Sequence, residues 1–92
     1  MYKRILIATD GSDKSKKAAQ EGLELAKALG AQVIALNVVN EVVIASAVRQ
    51  LGSDRKEVEE KLKVAGAKAV DDLKAMGAKM GVTVDTIVRI GA

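Results

Sequence analysis

Three short apolar runs rich in Ile and Val, within Lys3–Thr9, Gln32–Val39 and Val82–Ile90, are separated by stretches of helical periodicity. The first holds Ile5-Leu6-Ile7-Ala8 without a polar interruption, as expected of a strand buried on both faces of a parallel sheet. The second is interrupted only by Asn37. The third alternates, with Val82, Val84, Val88 and Ile90 on one side and Thr83, Asp85 and Arg89 on the other. Ile87 breaks that alternation, and the pattern suits an edge or half-covered strand.

The intervening stretches carry helix signals. Ser12 is placed to cap a helix over Asp13–Leu29, and Gly30 to stop it. Ala19, Gly22, Leu23, Ala26 and Leu29 form one apolar stripe on that helix, and Ala18, Ala19 and Gly22 are small enough for a close seat on a sheet. Further on, Ser53 or Asp54 caps a second helix, with Asp54-x-x-Glu57 resembling a capping box. Val58, Leu62, Ala65, Ala69, Leu73, Met76 and Met80 recur at helical steps until Gly81. Gly66 and Gly77 each cost this helix about 1 kcal/mol relative to Ala, which marks them as points of close packing. Glu41–Gly52 reads two ways: Val43, Ala47 and Leu51 suit a short helix, while Val42-Val43-Ile44 suits an extended strand.

The order β-α-β-α-β calls for a parallel α/β sheet. Right-handed crossovers leave two arrangements. Strand order 3-2-1 puts both helices on one face, and order 2-1-3 puts them on opposite faces. Either makes a mononucleotide-binding half of a doubly wound fold. With order 3-2-1, Ile5-Leu6-Ile7 and Val33-Ile34 present large apolar side chains to water. Monomers rarely expose such a patch, so a second copy is the expected cover and a homo-oligomer the expected state.

Composition narrows the chemistry. Ninety-two residues suffice for one domain, and 49% hydrophobic with 29% charged residues excludes a disordered chain. There is no cysteine and no histidine, so thiolate metal sites, cysteine nucleophiles and the commonest general base are absent. With no Phe or Trp and a single Tyr, base-stacking platforms for nucleic acid are lacking. The formal charge of +3 is spread along the chain: residues 1–40 hold six Lys/Arg against four Asp/Glu, and residues 41–80 eight against seven. That mixture describes a solvated surface rather than a nucleic-acid footprint. No apolar run is long enough to span a membrane and no signal peptide opens the chain, so neither a membrane nor a nucleic acid is an expected partner, and a cytoplasmic location fits.

Asp10-Gly11-Ser12 stands where the first strand gives way to the first helix, the place where open α/β sheets bind ligands. Asp10 is positioned for a ribose hydroxyl or a metal–phosphate group. The N–H groups of Ser12 to Ser15, with Lys14, Lys16 and Lys17 nearby, offer a positive helix end to an anion. The plainer reading is a turn and a cap beside a wet surface. Neither G-x-G-x-x-G nor a Walker A loop occurs. Asp71 and Asp72, neighbours on a helix, point about 100° apart and read as solvated, while Met76 and Met80 read as core packing.

The segment Tyr2-Lys3-Arg4-Ile5-Leu6-Ile7-Ala8-Thr9-Asp10-Gly11-Ser12 resembles the opening strand and loop of the universal stress proteins. The likeness continues through Ala18-Ala19, Leu25-Ala26, Val33 to Asn40 and the closing Val88-Arg89-Ile90-Gly91. It implies an α/β fold: a three-layer-type parallel sheet, of which this chain is the β-α-β-α-β half of an adenine-nucleotide-binding, Rossmann-like domain with strand order 3-2-1. It further implies a stress-response protein, commonly a homodimer, of a family whose members divide into ATP binders, with or without Mg, and non-binders. By the same resemblance Ala8, Thr9 and Asp10 contact the nucleotide, with Asp10 near the ribose, and Val38 contacts adenine; Val39 and Gly91 are weaker neighbours. The family's later glycine-rich phosphate loop does not occur here, so residues 1–92 are expected to form one truncated domain with impaired nucleotide binding. No positioned base, nucleophile or metal cluster is seen, and the chain is expected not to be an enzyme. The alternative expectation is a self-assembling α/β module without a ligand.

Overall fold

A computed structural model of the chain describes residues 3–91. Tyr2, at the head of the strand-and-loop segment, lies outside them. The elements are β1 (Arg4–Ala8), α1 (Asp13–Leu29), β2 (Gln32–Asn40), α2 (Glu41–Leu51), α3 (Arg55–Lys79) and β3 (Val84–Gly91). All strands are parallel, with β2 central, so the spatial order is 3-2-1.

α1 begins and ends where its caps dictate. The Ser12 side chain accepts from Ser15 N–H, and Gly30 adopts φ +65° to close the last turn. Ala19, Leu23 and Ala26 of its stripe are buried, but Leu29 is 45% exposed. The stripe expected to end at Leu29 therefore ends at Ala26, because the sheet lies under the middle of the helix. α3 is capped by Asp54, which accepts from Lys56 N–H. It buries Ala69, Val70 and Leu73 together with Gly66 and Gly77, while Ala65 of the expected stripe is exposed. A Cβ at Gly77 would meet Val84 Cγ2 at 2.5 Å, and one at Gly22 would meet Ile7 Cδ1 at 2.8 Å. Both helices thus touch the sheet at points where only hydrogen fits.

The segment that reads two ways is helical, which adds one helix to the β-α-β-α-β order. Asn40 ends β2 and caps α2 with its own side chain, accepting from Val42 N–H at 2.7 Å. Ile44 is the residue α2 buries; Val43 and Leu51, two of the expected helical contacts, are 51% and 74% exposed. Arg55 bridges Glu41 and Glu59, tying the start of α2 to the start of α3.

Ile7, Val33, Ala35 and Val84 face α1 and α3 and share one core with Leu23 and Leu73. The opposite face carries Leu6 at 62% and Val38 at 50% exposure, with Ile34, Leu36 and Ile87 half-buried. Among the described residues no helix covers it. The chain thus supplies two of the three layers, the outcome right-handed crossovers demand of order 3-2-1. The register explains Ile87: it pairs with Leu36 and belongs to the open face.

Candidate functional site

The carboxyl ends of β1 and β2 are shaped by hydrogen bonds within the connecting loop. Thr9 N–H donates to Leu36 O at 2.9 Å, carrying the ladder one residue past β1. The Thr9 carbonyl accepts from Asn37 Nδ2 at 2.8 Å, and its Oγ1 accepts from Gly11 N–H at 3.2 Å. Gly11 has φ +81°, a value L side chains rarely adopt, and a Cβ there would lie 3.3 Å from Ala69 Cβ. Loop and α3 therefore fit only with glycine at this position.

Asp10 projects from this loop into solvent. Its Oδ1 accepts from Ser12 N–H at 2.9 Å and from Ser15 Oγ–H at 2.7 Å. Hydrogen bonds from Ser12, through its hydroxyl and its N–H, and from the Ser15 hydroxyl lower its pKa from 3.8 to about 2. The Ser15 proton is committed to Asp10, so Thr9 Oγ–H is the donor in the 3.2 Å contact between the two hydroxyls. Both located bonds fall on Oδ1, which leaves Oδ2 for an outside donor.

Val38 contributes backbone as well as side chain. In a parallel ladder, alternate residues direct both N–H and C=O to the same neighbour. Leu36 uses its carbonyl toward β1, so Val38 points the same way. There, however, β1 has ended: the Thr9 carbonyl is taken by Asn37 and the Gly11 N–H by Thr9 Oγ1. Val38 therefore presents an adjacent donor and acceptor to the gap.

Ala8, Thr9, Asp10 and Val38 come together around one open cleft of about 300 Å³, which Ser15, Leu36 and Asn37 complete. Val39 turns toward the helices and lines a second cleft of about 250 Å³ with Asn40, Val43 and Leu62. Gly91 sits at the end of β3 opposite Asn40, one strand away. The positive helix end is less available than expected. Ser12 N–H already serves Asp10, and Ser15 N–H already serves Ser12 Oγ, so a carboxylate occupies the place assigned to an anion. Asp72 pairs with Lys68 at 3.1 Å and Asp71 is exposed, as solvated carboxylates on a helix should be. Among the described residues no group of acidic side chains could hold a metal ion, and no helix is long and apolar enough to cross a membrane.

Ser15 and Asn37 did not stand out as site residues in the sequence. Asn37 had a signal, a lone amide in an apolar strand, and its partner Thr9 O becomes its neighbour only in the folded sheet. A Cβ at Gly66 would collide with Asn37 Oδ1, so the glycine in α3 makes room for this amide.

The model of the universal stress protein family matches residues 1–92. The chain belongs to this family. It is 34% identical over 86 residues to a universal stress protein of Methanocaldococcus jannaschii, covering 94% of this chain and 49% of that protein. It is 32% identical over 94 residues to one of Bacillus subtilis, covering 95% and 62%. The chain thus spans about half to three-fifths of the length of these relatives. Its fold matches a universal stress protein structure from Burkholderia pseudomallei with TM-score 0.78 at 24% identity, covering 96% of this chain and 62% of that one. It also matches a universal stress protein solved in complex with cAMP, with TM-score 0.64 at 21% identity, covering 98% and 62%.

Proposed function

We propose that this universal stress protein chain binds an adenine nucleotide, ATP being the first candidate, at the cleft between the ends of β1 and β2. The carrying observation is the convergence of Ala8, Thr9, Asp10 and Val38 on that one cleft. Each has a role that follows from its chemistry. The Val38 N–H and C=O match the donor–acceptor edge of an adenine, and the aliphatic side chains of Ala8 and Val38 offer its faces an apolar seat. Asp10, ionised at any physiological pH, accepts from a ribose hydroxyl through Oδ2. The solved relative in complex with cAMP supports an adenine nucleotide as the ligand class. A cleft of about 300 Å³ is at the small end for ligand sites, enough for the nucleoside and not for a triphosphate chain. Affinity is therefore weak, and Mg would act only through phosphates held outside the cleft.

The role is binding rather than turnover, in a stress response and in the cytoplasm. Among the described residues Asp10 is the sole ionisable side chain lining the cleft, and a carboxylate with a pKa of about 2 is too weak a base for proton abstraction near neutral pH. Calorimetric titration with Mg-ATP tests this reading. Saturable heat that falls at least about tenfold in affinity in Asp10→Ala, with no phosphate released on long incubation, is the expected result. No heat at high protein concentration, or affinity unchanged by the substitution, would overturn it. A second reading, self-assembly through the open face of the sheet, is favoured by the exposure of Leu6 and Val38.

A further inference from the structure

We infer that Ser15 is a positioning residue for the nucleotide cleft: its hydroxyl orients the Asp10 carboxylate, so that the cleft selects a sugar carrying ribose hydroxyls. The inference rests on the adenine-nucleotide reading and adds the residue that sets its sugar specificity.

The groups around Asp10 form a chain of hydrogen bonds in which each proton points toward the carboxylate. Gly11 N–H donates to Thr9 Oγ1 at 3.2 Å, and Thr9 Oγ–H donates to Ser15 Oγ at 3.2 Å. Ser15 Oγ–H then donates to Asp10 Oδ1 at 2.7 Å. Ser12 enters twice: its N–H donates to the same Oδ1 at 2.9 Å, and its hydroxyl donates to Ser15 Oγ at 3.3 Å. A hydroxyl offers one proton and two lone pairs, and Ser15 uses all three. The Ser12 carbonyl, 3.1 Å from Ser15 Oγ, is a rival for the proton, but the bond to the carboxylate is shorter and charge-assisted. Each link polarises the next, so a one-way chain holds its last acceptor more firmly than the same bonds taken singly.

The placement of Ser15 matters as much as its bonds. Thr9 is buried at the end of β1, Asp10 is exposed, and Ser15 stands half-buried between them in the first turn of α1. Its hydroxyl thus joins a fixed strand end to a side chain that water would otherwise leave mobile. Among the described residues no ion pair holds Asp10, so its orientation depends on Ser15 Oγ–H and Ser12 N–H. Two donors occupy both lone pairs of Oδ1 and fix the plane of the carboxylate, which leaves Oδ2 for the sugar. With the bond to Ser12 alone, the carboxylate can turn about that bond and exchange its two oxygens. Base contacts at Val38 do not pass through this chain, so Ser15 bears on the sugar and not on the base.

NMR titration of the whole chain with Mg-ATP and with its 2′,3′-dideoxy analogue tests the inference. The parent should bind ATP at least about tenfold more tightly than the analogue, the worth of a hydrogen bond to a charged group. In Ser15→Ala that ratio should fall at least about threefold, as the freed side chain spreads over about three staggered wells. The fall should come from ATP alone, with the affinity for the analogue as in the parent. Ser15→Thr, which keeps the hydroxyl, should keep the ratio. In the nucleotide-free chain the Asp10 carboxyl should titrate nearer its ordinary 3.8 in Ser15→Ala, and at about 2 in the parent and in Ser15→Thr. An Asp10 titration unmoved by Ser15→Ala would overturn the hydrogen bond itself. A ratio unchanged in Ser15→Ala, or equal losses for both nucleotides, would overturn the positioning role and leave the nucleotide reading standing. A parent that binds neither nucleotide would overturn both.

Discussion

The two faces of the sheet are built from the same strands and nearly the same residue types, and they end in opposite environments. On one, Val33, Ala35 and Val84 are almost fully buried under α1 and α3; on the other, Leu6 and Val38 are at least half exposed. Composition does not separate them, since Ile5-Leu6-Ile7 and Val33-Ile34 are apolar on both sides. What separates them is chirality. Two right-handed crossovers in the same direction put both helices on one face whatever the strands offer on the other. An apolar strand therefore reports that a face can be buried, and topology decides whether it is.

The sharpest way to break this contrast is to remove the same side chain from each face. Leu23, with no exposed surface, packs against the covered face, and Leu23→Ala should cost about 2–5 kcal/mol. Leu6→Ala, measured at low protein concentration where the open face is unpaired, should change stability by less than about 0.5 kcal/mol. Urea unfolding of both variants checks the pair. Similar losses at the two positions would mean that the open face is covered within the monomer, and the two-layer description would fail.

A smaller effect is expected where the covered face reaches the site. Asn37 holds the Thr9 carbonyl, and Gly66 is the space it occupies. Gly66→Ala gains about 1 kcal/mol of helix propensity and loses about 1–3 kcal/mol to overpacking, a net loss near 1 kcal/mol. It should also weaken nucleotide binding, because the displaced amide no longer fixes the loop that carries Asp10. In an Asn37→Ala background the added methyl meets only Val88 Cγ1, at 3.3 Å, and Gly66→Ala should cost clearly less than in the parent. A double-mutant cycle on thermal unfolding measures this coupling, expected at about 0.5–3 kcal/mol. Additive effects would show that Gly66 does not serve Asn37.

This pair also shows where the sequence stops being legible. α1 could be read with both its ends because Ser12 and Gly30 act on their own neighbours. Strand order could not be read from the residues, since crossover direction leaves no local mark, and the family resemblance supplied it. α2 stayed ambiguous because the β-branched Val42-Val43-Ile44 run fits a strand. The deciding interactions are the Asn40 cap and the Glu41–Arg55 pair, and the second spans fourteen residues. In the site, Ala8, Thr9, Asp10 and Val38 were legible through the family pattern. Asn37 and Ser15 were not, because a strand amide and a helix hydroxyl acquire roles only when β1 arrives beside them. The helix N-terminus is less available to an anion than its sequence suggests for a related reason: the chain's own Asp10 already accepts from Ser12 N–H.

That last arrangement sets the smallest effect and the most specific one. Asp10 is fully exposed, so whatever its bonds to Ser12 and Ser15 contribute is screened by water, yet its pH dependence has a definite sign. Its folded pKa of about 2 lies below the ordinary 3.8, so between those values the unfolded chain binds more protons than the folded one. The contribution is therefore fully present above about pH 4, and it is lost as the pH falls toward 2. An Asp10→Asn variant keeps an acceptor oxygen for Ser12 and Ser15 but carries no charge at any pH. Urea unfolding of the two proteins at stepped pH should give a constant difference from pH 8 down to about 4 and curves that converge by about pH 2. Convergence well above pH 4 would mean that the carboxylate is not held by the loop. Nucleotide could then no longer rely on an Asp10 preset in its charged form, and the contrast between an anchored end of the sheet and an open face would lose its functional side.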